Sequence, residues 1–316
     1  GGGLDEGTYD NCTISVTSSS SGRTSDNLSV DNFTIDITAP SLAATTLVPS
    51  LTNDNTPNYT FSSNEAGTIT YGGSCSSSTT AAAADNNTIT FNALGDAQHA
   101  NCNITVRDNA GNTSSTLDVN SFTIDTTAPS LGQVTAVSTP DNDSTPSYTF
   151  SSTEAGVITY SGGCGSSSSS ATSGNNTVIL KQSDNSTALS DATYNCTIRV
   201  TDNASNTSIA LSVTQFVIDT TGPTVAEVTA VANPGNDTTP RYIFSSNEAG
   251  TITYGGSCSS STSAASASNN TIDFNTLSVG SYDDCTIRVT DNASNQSNGL
   301  DVTIFVIEIT PPTVSS

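Results

Sequence analysis

Tryptophan is absent, histidine occurs once, and Lys and Arg together number 6 in 316 residues. Each shortage removes a class of chemistry. Six cations against 29 Asp and Glu leave a formal charge of −23, which excludes a protein that tracks phosphate backbones with clustered Lys and Arg. The same sign works against docking on an anionic membrane surface. A lone His99 excludes a His-rich metal site and leaves one conceivable Ser-His-Asp triad, with no nucleophile-elbow motif to support it. The single lysine, Lys181, cannot supply a set of Lys–Asn isopeptide cross-links. No apolar run approaches the ~20 residues of a membrane-spanning helix, and no Cys-x-x-Cys suggests a zinc knuckle or a redox pair. The expectation is no nucleic-acid partner and no membrane insertion in this segment.

What the chain does have is self-similarity. Thr38-Ala39-Pro40 recurs as Thr127-Ala128-Pro129, Thr221-Gly222-Pro223 and Thr310-Pro311-Pro312, with periods of 89, 94 and 89 residues. Cys12, Cys102, Cys196 and Cys285 keep the same spacing, and Cys75, Cys164 and Cys258 form a second series. Three complete units therefore span 39–127, 128–221 and 222–310. Residues 1–38 match the last third of a unit, and 311–316 match the start of another. Two accounts of the N-terminal third stay open: a window cut from a longer array, or completion by another chain.

Within a unit, short alternating stretches mark half-buried strands. Asn53-Asp54-Asn55-Thr56-Pro57 is a turn, and Tyr59-Thr60-Phe61 follows with both aromatics on one face. Glu65-Ala66-Gly67 turns the chain into Thr68-Ile69-Thr70-Tyr71, and Cys102, Ile104 and Val106 share one side of a later strand. After Asp108-Asn109-Ala110-Gly111-Asn112, the apolar face steps by three from Val119 to Phe122, which predicts a β-bulge or a strand that breaks and restarts. No segment keeps a 3.6-residue period. The fold class expected is all-β, with about seven strands per unit in two-sheet sandwiches strung as an elongated rod. The serine-rich stretches, such as Ser166–Ser170, read as flexible loops.

The Ile-Asp-Thr-Thr-Ala-Pro linker (Ile124 to Pro129), the Asn-Asp-x-Thr-Pro turn and the Asp-Asn-Ala-Gly-Asn turn resemble the bacterial immunoglobulin (Ig)-like repeats of large surface adhesins and extracellular fibres. The resemblance covers essentially the whole chain, with two cysteines per unit as the departure from the usual pattern. It implies tandem Ig-like sandwiches, with residues 1–38 contributing strands F and G of a further domain. With Ig topology, Cys75 ends strand C and Cys102 begins strand F at one pole, so Cys75–Cys102, Cys164–Cys196 and Cys258–Cys285 are the expected disulfides, with Cys12 unpaired in this segment. Paired cysteines place the protein in an oxidising compartment, extracellular or at the cell surface. Tyr9, Tyr194 and Tyr282 take the place of the Ig tyrosine corner, and His99 stands in for that tyrosine.

The same topology brings the linker, the Glu-Ala-Gly turn and the F–G turn to the pole where the chain enters. Asp36, Glu65 and Asp108 would meet there, as would Asp125, Glu154 and Asp202, and then Asp219, Glu248 and Asp291. Three carboxylates with few cations nearby suit Ca²⁺, which takes six to eight oxygens in loose geometry; the other reading is that they cap turns through backbone N–H groups. Ser18 replaces the turn Asp in the first partial unit and would weaken any site there. No catalytic residue is expected. The function implied is a disulfide-stapled stalk or adhesive array, with neighbouring copies in a homopolymer or filament, or a cell-surface receptor, as partners. The alternative is a carbohydrate- or ligand-binding sandwich accessory to an extracellular enzyme; the repeated aromatics alternate as core residues, leaving no platform for a sugar.

Overall fold

Alternation of apolar and polar side chains over five or six residues lets a strand bury one face and wet the other. In the computed structural model, which describes residues 3–309, this pattern yields strands and no helix among the described residues. The start of a further domain expected at 311–316 lies outside them. Contacts divide the chain into two compact units. One holds the residues through Ala128 together with Asn203–Asn206; the other holds Pro129–Asp202 and the chain from Thr207 onward.

The first unit opens with two short antiparallel pairs. β1 (Gly7–Tyr9) pairs with β4 (Phe33–Ile35), and β2 (Thr13–Ile14) with β3 (Leu28–Ser29). A complete sandwich follows, made of β5 (Leu42–Thr46), β6 (Leu51–Thr52), β7 (Asn58–Ser63), β8 (Gly67–Gly72), β9 (Ala81–Ala82), β10 (Asp85–Thr90), β11 (Ala97–His99), β12 (Asn103–Asp108), β13 (Leu117–Asp118) and β14 (Phe122–Ile124). One sheet runs β10-β7-β5, a second β13-β12-β8-β9, and β11-β14-β6 closes the edge with β6 and β14 parallel. Tyr59 and Phe61 from β7 meet Ile69, Ile104 and Val106 from the facing sheet, and all five are buried. Each such side chain contributes about 1.5–3 kcal/mol on burial.

The three-residue step in the last strand is a break and restart. β13 pairs with β12, the chain leaves the ladder, and β14 pairs with β11. Cys102 lies where the F strand makes the matching switch between β11 and β12. At the other edge, β5 carries a bulge: Ala44 opposes Phe61 and Thr46 opposes Thr60, leaving Thr45 unmatched.

The second unit repeats this architecture twice. Three-stranded sheets around Ser147–Ser152 and Arg241–Ser246 face four-stranded sheets around Thr197–Asp202 and Thr286–Thr290. Each sandwich has its own core, one centred on Tyr148, Phe150 and Phe216, the other on Tyr242, Phe244 and Phe305. The edge bulge recurs at Val134 and Val228. The five additional residues of the middle repeat build a strand pair, Cys164–Gly165 with Lys181–Gln182, followed by a turn in which Asp184 Oδ1 accepts the N–H groups of Ser186 and Thr187. The serine-rich stretches differ from the loose loops expected. Ser170–Ala171 pairs as an edge strand, Ser166 is buried, and Tyr160 donates its hydroxyl to Ser168 O at 2.7 Å. Backbone pairing and half-buried tyrosine bodies order what composition alone reads as linker.

Candidate metal centre

Asp36, Glu65 and Asp108 belong to the first unit, and one carboxylate oxygen from each lies within 4.8 Å of the others. Local chemistry fixes each of them. The Glu-Ala-Gly turn must end in glycine because a Cβ on Gly67 would sit 2.3 Å from Arg107 O on the neighbouring strand. Buried Ser63 donates to Glu65 O at 2.6 Å and pins the glutamate backbone. Asp108 holds the F–G turn: Oδ1 accepts Gly111 N at 2.6 Å and Asn112 N at 2.9 Å, and Oδ2 accepts Asn112 Nδ2 at 2.9 Å. Burial pushes the Asp108 carboxyl up, but these hydrogen bonds outweigh it and hold the group below the usual aspartate value. Asp36 Oδ1 accepts Thr38 N at 3.1 Å, and its carbonyl accepts Asn112 Nδ2 at 3.1 Å.

Asp219, Glu248 and Asp291 repeat this arrangement inside the second unit, again within 4.8 Å. Asn295 donates through its backbone to Asp291 Oδ1 at 2.9 Å, and through Nδ2 to Asp291 Oδ2 at 3.0 Å and Asp219 O at 2.7 Å. Burial, with the negative charges of Asp219 and Asp291 behind it, raises the Glu248 carboxyl above the usual glutamate value. A cation between the three would relieve that repulsion. Of the remaining set, Asp125 belongs to the first unit, where its Oδ1 accepts Thr127 N at 3.2 Å. Glu154 and Asp202 belong to the second, where Ser152 pins the Glu154 carbonyl at 2.6 Å and Asp202 is buried.

Turn capping is what these acids do in the structure, and it leaves room for a cation. Asp108 and Asp291 cap their turns, yet a carboxylate offers about four lone-pair directions, so acceptor capacity remains toward the centre of each triad. Among the described residues the one ion pair joins exposed Arg241 and Asp273, so no cationic side chain neutralises either triad. Oxygen-only donors with adjustable geometry fit a hard divalent cation and not zinc or copper.

Sequence reading missed a second set of acids that grip the linkers. Asp96 Oδ1 accepts Thr126 N at 3.0 Å and Thr126 Oγ1 at 2.8 Å, while Oδ2 accepts Thr127 Oγ1 at 2.8 Å. Asp191 does the same with Thr220 and Thr221, and Glu6 accepts Thr38 Oγ1 at 2.7 Å. The signal was an acid three residues before Tyr9, His99 and Tyr194. In the last repeat Val279 takes that place and Ile309 takes the threonine's, and both are exposed. The corner itself is as expected. Tyr9, Tyr194 and Tyr282 each donate to the carbonyl four residues back at 2.9 Å. His99 reaches Gly95 O with Nε2 at 3.1 Å and stacks on Phe122. A carbonyl only accepts, so Nε2 carries the proton.

The disulfides are Cys75–Cys102, Cys164–Cys196 and Cys258–Cys285, with Cα separations of 5.2, 5.6 and 5.2 Å. Cys12 is a free thiol.

No protein-family profile and no curated protein matches the sequence. Solved structures do. A tetra-tandem repeat from the extending region of a large adhesion protein is 17% identical over 97% of this chain and 83% of that one, with a TM-score of 0.32. Fibronectin(III)-like modules of Clostridium thermocellum CbhA are 12% identical over 57% of this chain and 94% of theirs, TM-score 0.32. Invasin, a bacterial integrin-binding protein, is 13% identical over 84% of this chain and 60% of its own, TM-score 0.34. Scores this low add no argument, and the class rests on the chain's own sheets. It is an all-β chain of tandem Ig-like sandwiches, and its linker and turn motifs resemble those of the bacterial Ig-like repeats.

Proposed function

We propose that this chain is a non-enzymatic spacer within an extracellular or surface-exposed protein, a stalk or adhesive array whose linkers are stiffened by Ca²⁺. The observation that carries the reading is where the polar side chains are spent. Asp96, Asp191 and Glu6 hold the threonines of the linker that leaves their own domain. Asn112 and Asn295 hold the carbonyl of the linker that enters theirs. A linker gripped from both ends transmits orientation, which a stalk needs and a soluble binding module does not. Ca²⁺ between the carboxylates of a triad would add a third restraint. The disulfides support secretion into an oxidising compartment, and the net charge of −23 supports repulsion between crowded copies. The partners proposed are neighbouring copies in a filament or a receptor at the far end.

Small-angle scattering with and without Ca²⁺ tests this. Three domains of ~40 Å each in line give a radius of gyration of about 35 Å or more, against about 20 Å for a 316-residue globule. The compact value would overturn the spacer. For the cation, EDTA should lower the melting temperature and broaden the distance distribution; no change in either would leave the acids as turn caps.

A further inference from the structure

In each complete sandwich the segment just after the first strand and the leaving strand lie side by side and point the same way. In the first, β6 and β14 are parallel, with Thr123 N donating to Ser50 O at 2.9 Å and Asp125 N to Thr52 O at 3.0 Å. Parallel bridges Asp141 with Ile218 and Gly235 with Ile307 repeat the seam in the other two. The chain enters beside the F–G turn, where Asn112 grips Asp36 O, and leaves at the opposite pole, where Asp96 grips Thr126. Tension between the linkers therefore shears the seam, loading its bonds together and not one after another.

A side-chain latch doubles the seam in every domain, each time with different chemistry. Asn120 takes Val48 N at 3.1 Å and Val48 O at 2.8 Å. Gln133 bonds Thr214 N at 3.0 Å and Thr214 Oγ1 at 2.8 Å. Glu227 accepts Thr303 N at 3.1 Å and Thr303 Oγ1 at 2.8 Å. Behind the seam stands the C–F disulfide, which closes separations of 27, 32 and 27 residues.

The repeats themselves are 89, 94 and 89 residues long. The middle repeat is longer by the same five residues by which its disulfide loop is longer, because the additional strand pair lies between Cys164 and Cys196. Removing the closed segment leaves about 62 extensible residues in every domain, or ~220 Å at ~3.5 Å per residue. We propose that each domain is a two-stage tether: the seam and its latch bear the load, and the disulfide then arrests extension at one length common to all three. This rests on the spacer reading, since only a loaded tether uses it.

Single-molecule stretching of the whole chain between handles tests the proposal. Oxidised protein should give three equal contour increments of about 62 residues. After reduction by a dithiol, which leaves two cysteine thiols per domain and a cyclic disulfide of the reagent, two increments should grow by ~95 Å and one by ~110 Å. Increments already matching full repeats in the oxidised chain, or three unequal ones, would overturn the arrest. Asn120→Ala, Gln133→Ala and Glu227→Ala should each lower the force of one event while its increment stays fixed; unchanged forces would overturn the load-bearing seam. Because each increment is read from one domain, this result is independent of the scattering measurement.

Discussion

Reduction of the disulfides offers a quantitative check on how each small sandwich is held. The loops close 27, 32 and 27 residues, and on the chain-entropy account each bond restricts the unfolded state by about 3.5 kcal/mol at 25 °C, the middle one by about 3.7. Small domains have only about 5–15 kcal/mol of stability, so this is a large fraction. An 89-residue repeat unfolds with an entropy of roughly 190 cal/mol/K near 60 °C. Losing 3.5 kcal/mol then lowers the melting temperature by about 18 °C. Calorimetry of the oxidised protein should be compared with protein reduced in denaturant and refolded under dithiol, after non-reducing peptide mapping confirms the three pairs. A fall below about 5 °C in every domain would refute the reasoning, because it would mean that the cross-links are not what restricts the unfolded chain.

Two further outcomes follow from single side chains. His99→Tyr should be neutral or stabilising, since tyrosine already makes the same bond in the other repeats, whereas His99→Phe should cost about 1 kcal/mol in denaturant melts of the first complete domain. Glu227 supplies a pH signature. Burial pushes its carboxyl up, but the hydrogen bonds from the Thr303 backbone N–H and hydroxyl prevail and hold it below the ordinary 4.5. Its stabilisation is therefore complete above pH 4.5 and lost as pH falls through the lower folded value, so Glu227→Gln should flatten the acid side of the third domain's stability profile and leave the other two domains unchanged.

Strands whose two faces differ in polarity were legible in the sequence. Tyr59-Thr60-Phe61 and Ile104-Thr105-Val106 alternate, and their apolar members are buried. The break before Phe122 was legible for the same reason, since a step of three cannot keep one face. The proximity of Asp36, Glu65 and Asp108 follows from Ig topology, given turns that repeat. The first strand of each sandwich gave no such signal. Leu42–Thr46 is mostly exposed on both faces, so neither its bulge nor the latches beside it leave a periodic trace. The serine-rich stretches were misread because their order comes from partners distant in sequence, such as Asn185 Oδ1 accepting Ser166 N at 3.1 Å.

The edge bulge at Thr45, Val134 and Val228 bears on how such a protein is made at all. Repeats as alike as Gly67–Cys75 and Gly250–Cys258 emerge from one chain at very high local concentration. That is the situation in which strands are exchanged between neighbours. A flat first strand would offer any sibling repeat an open ladder of backbone donors and acceptors. The unmatched residue increases the local twist and interrupts that ladder. Nascent domains can then wait for their own last strand without capturing another's, and the number of repeats can grow by duplication without a matching growth in misassembly.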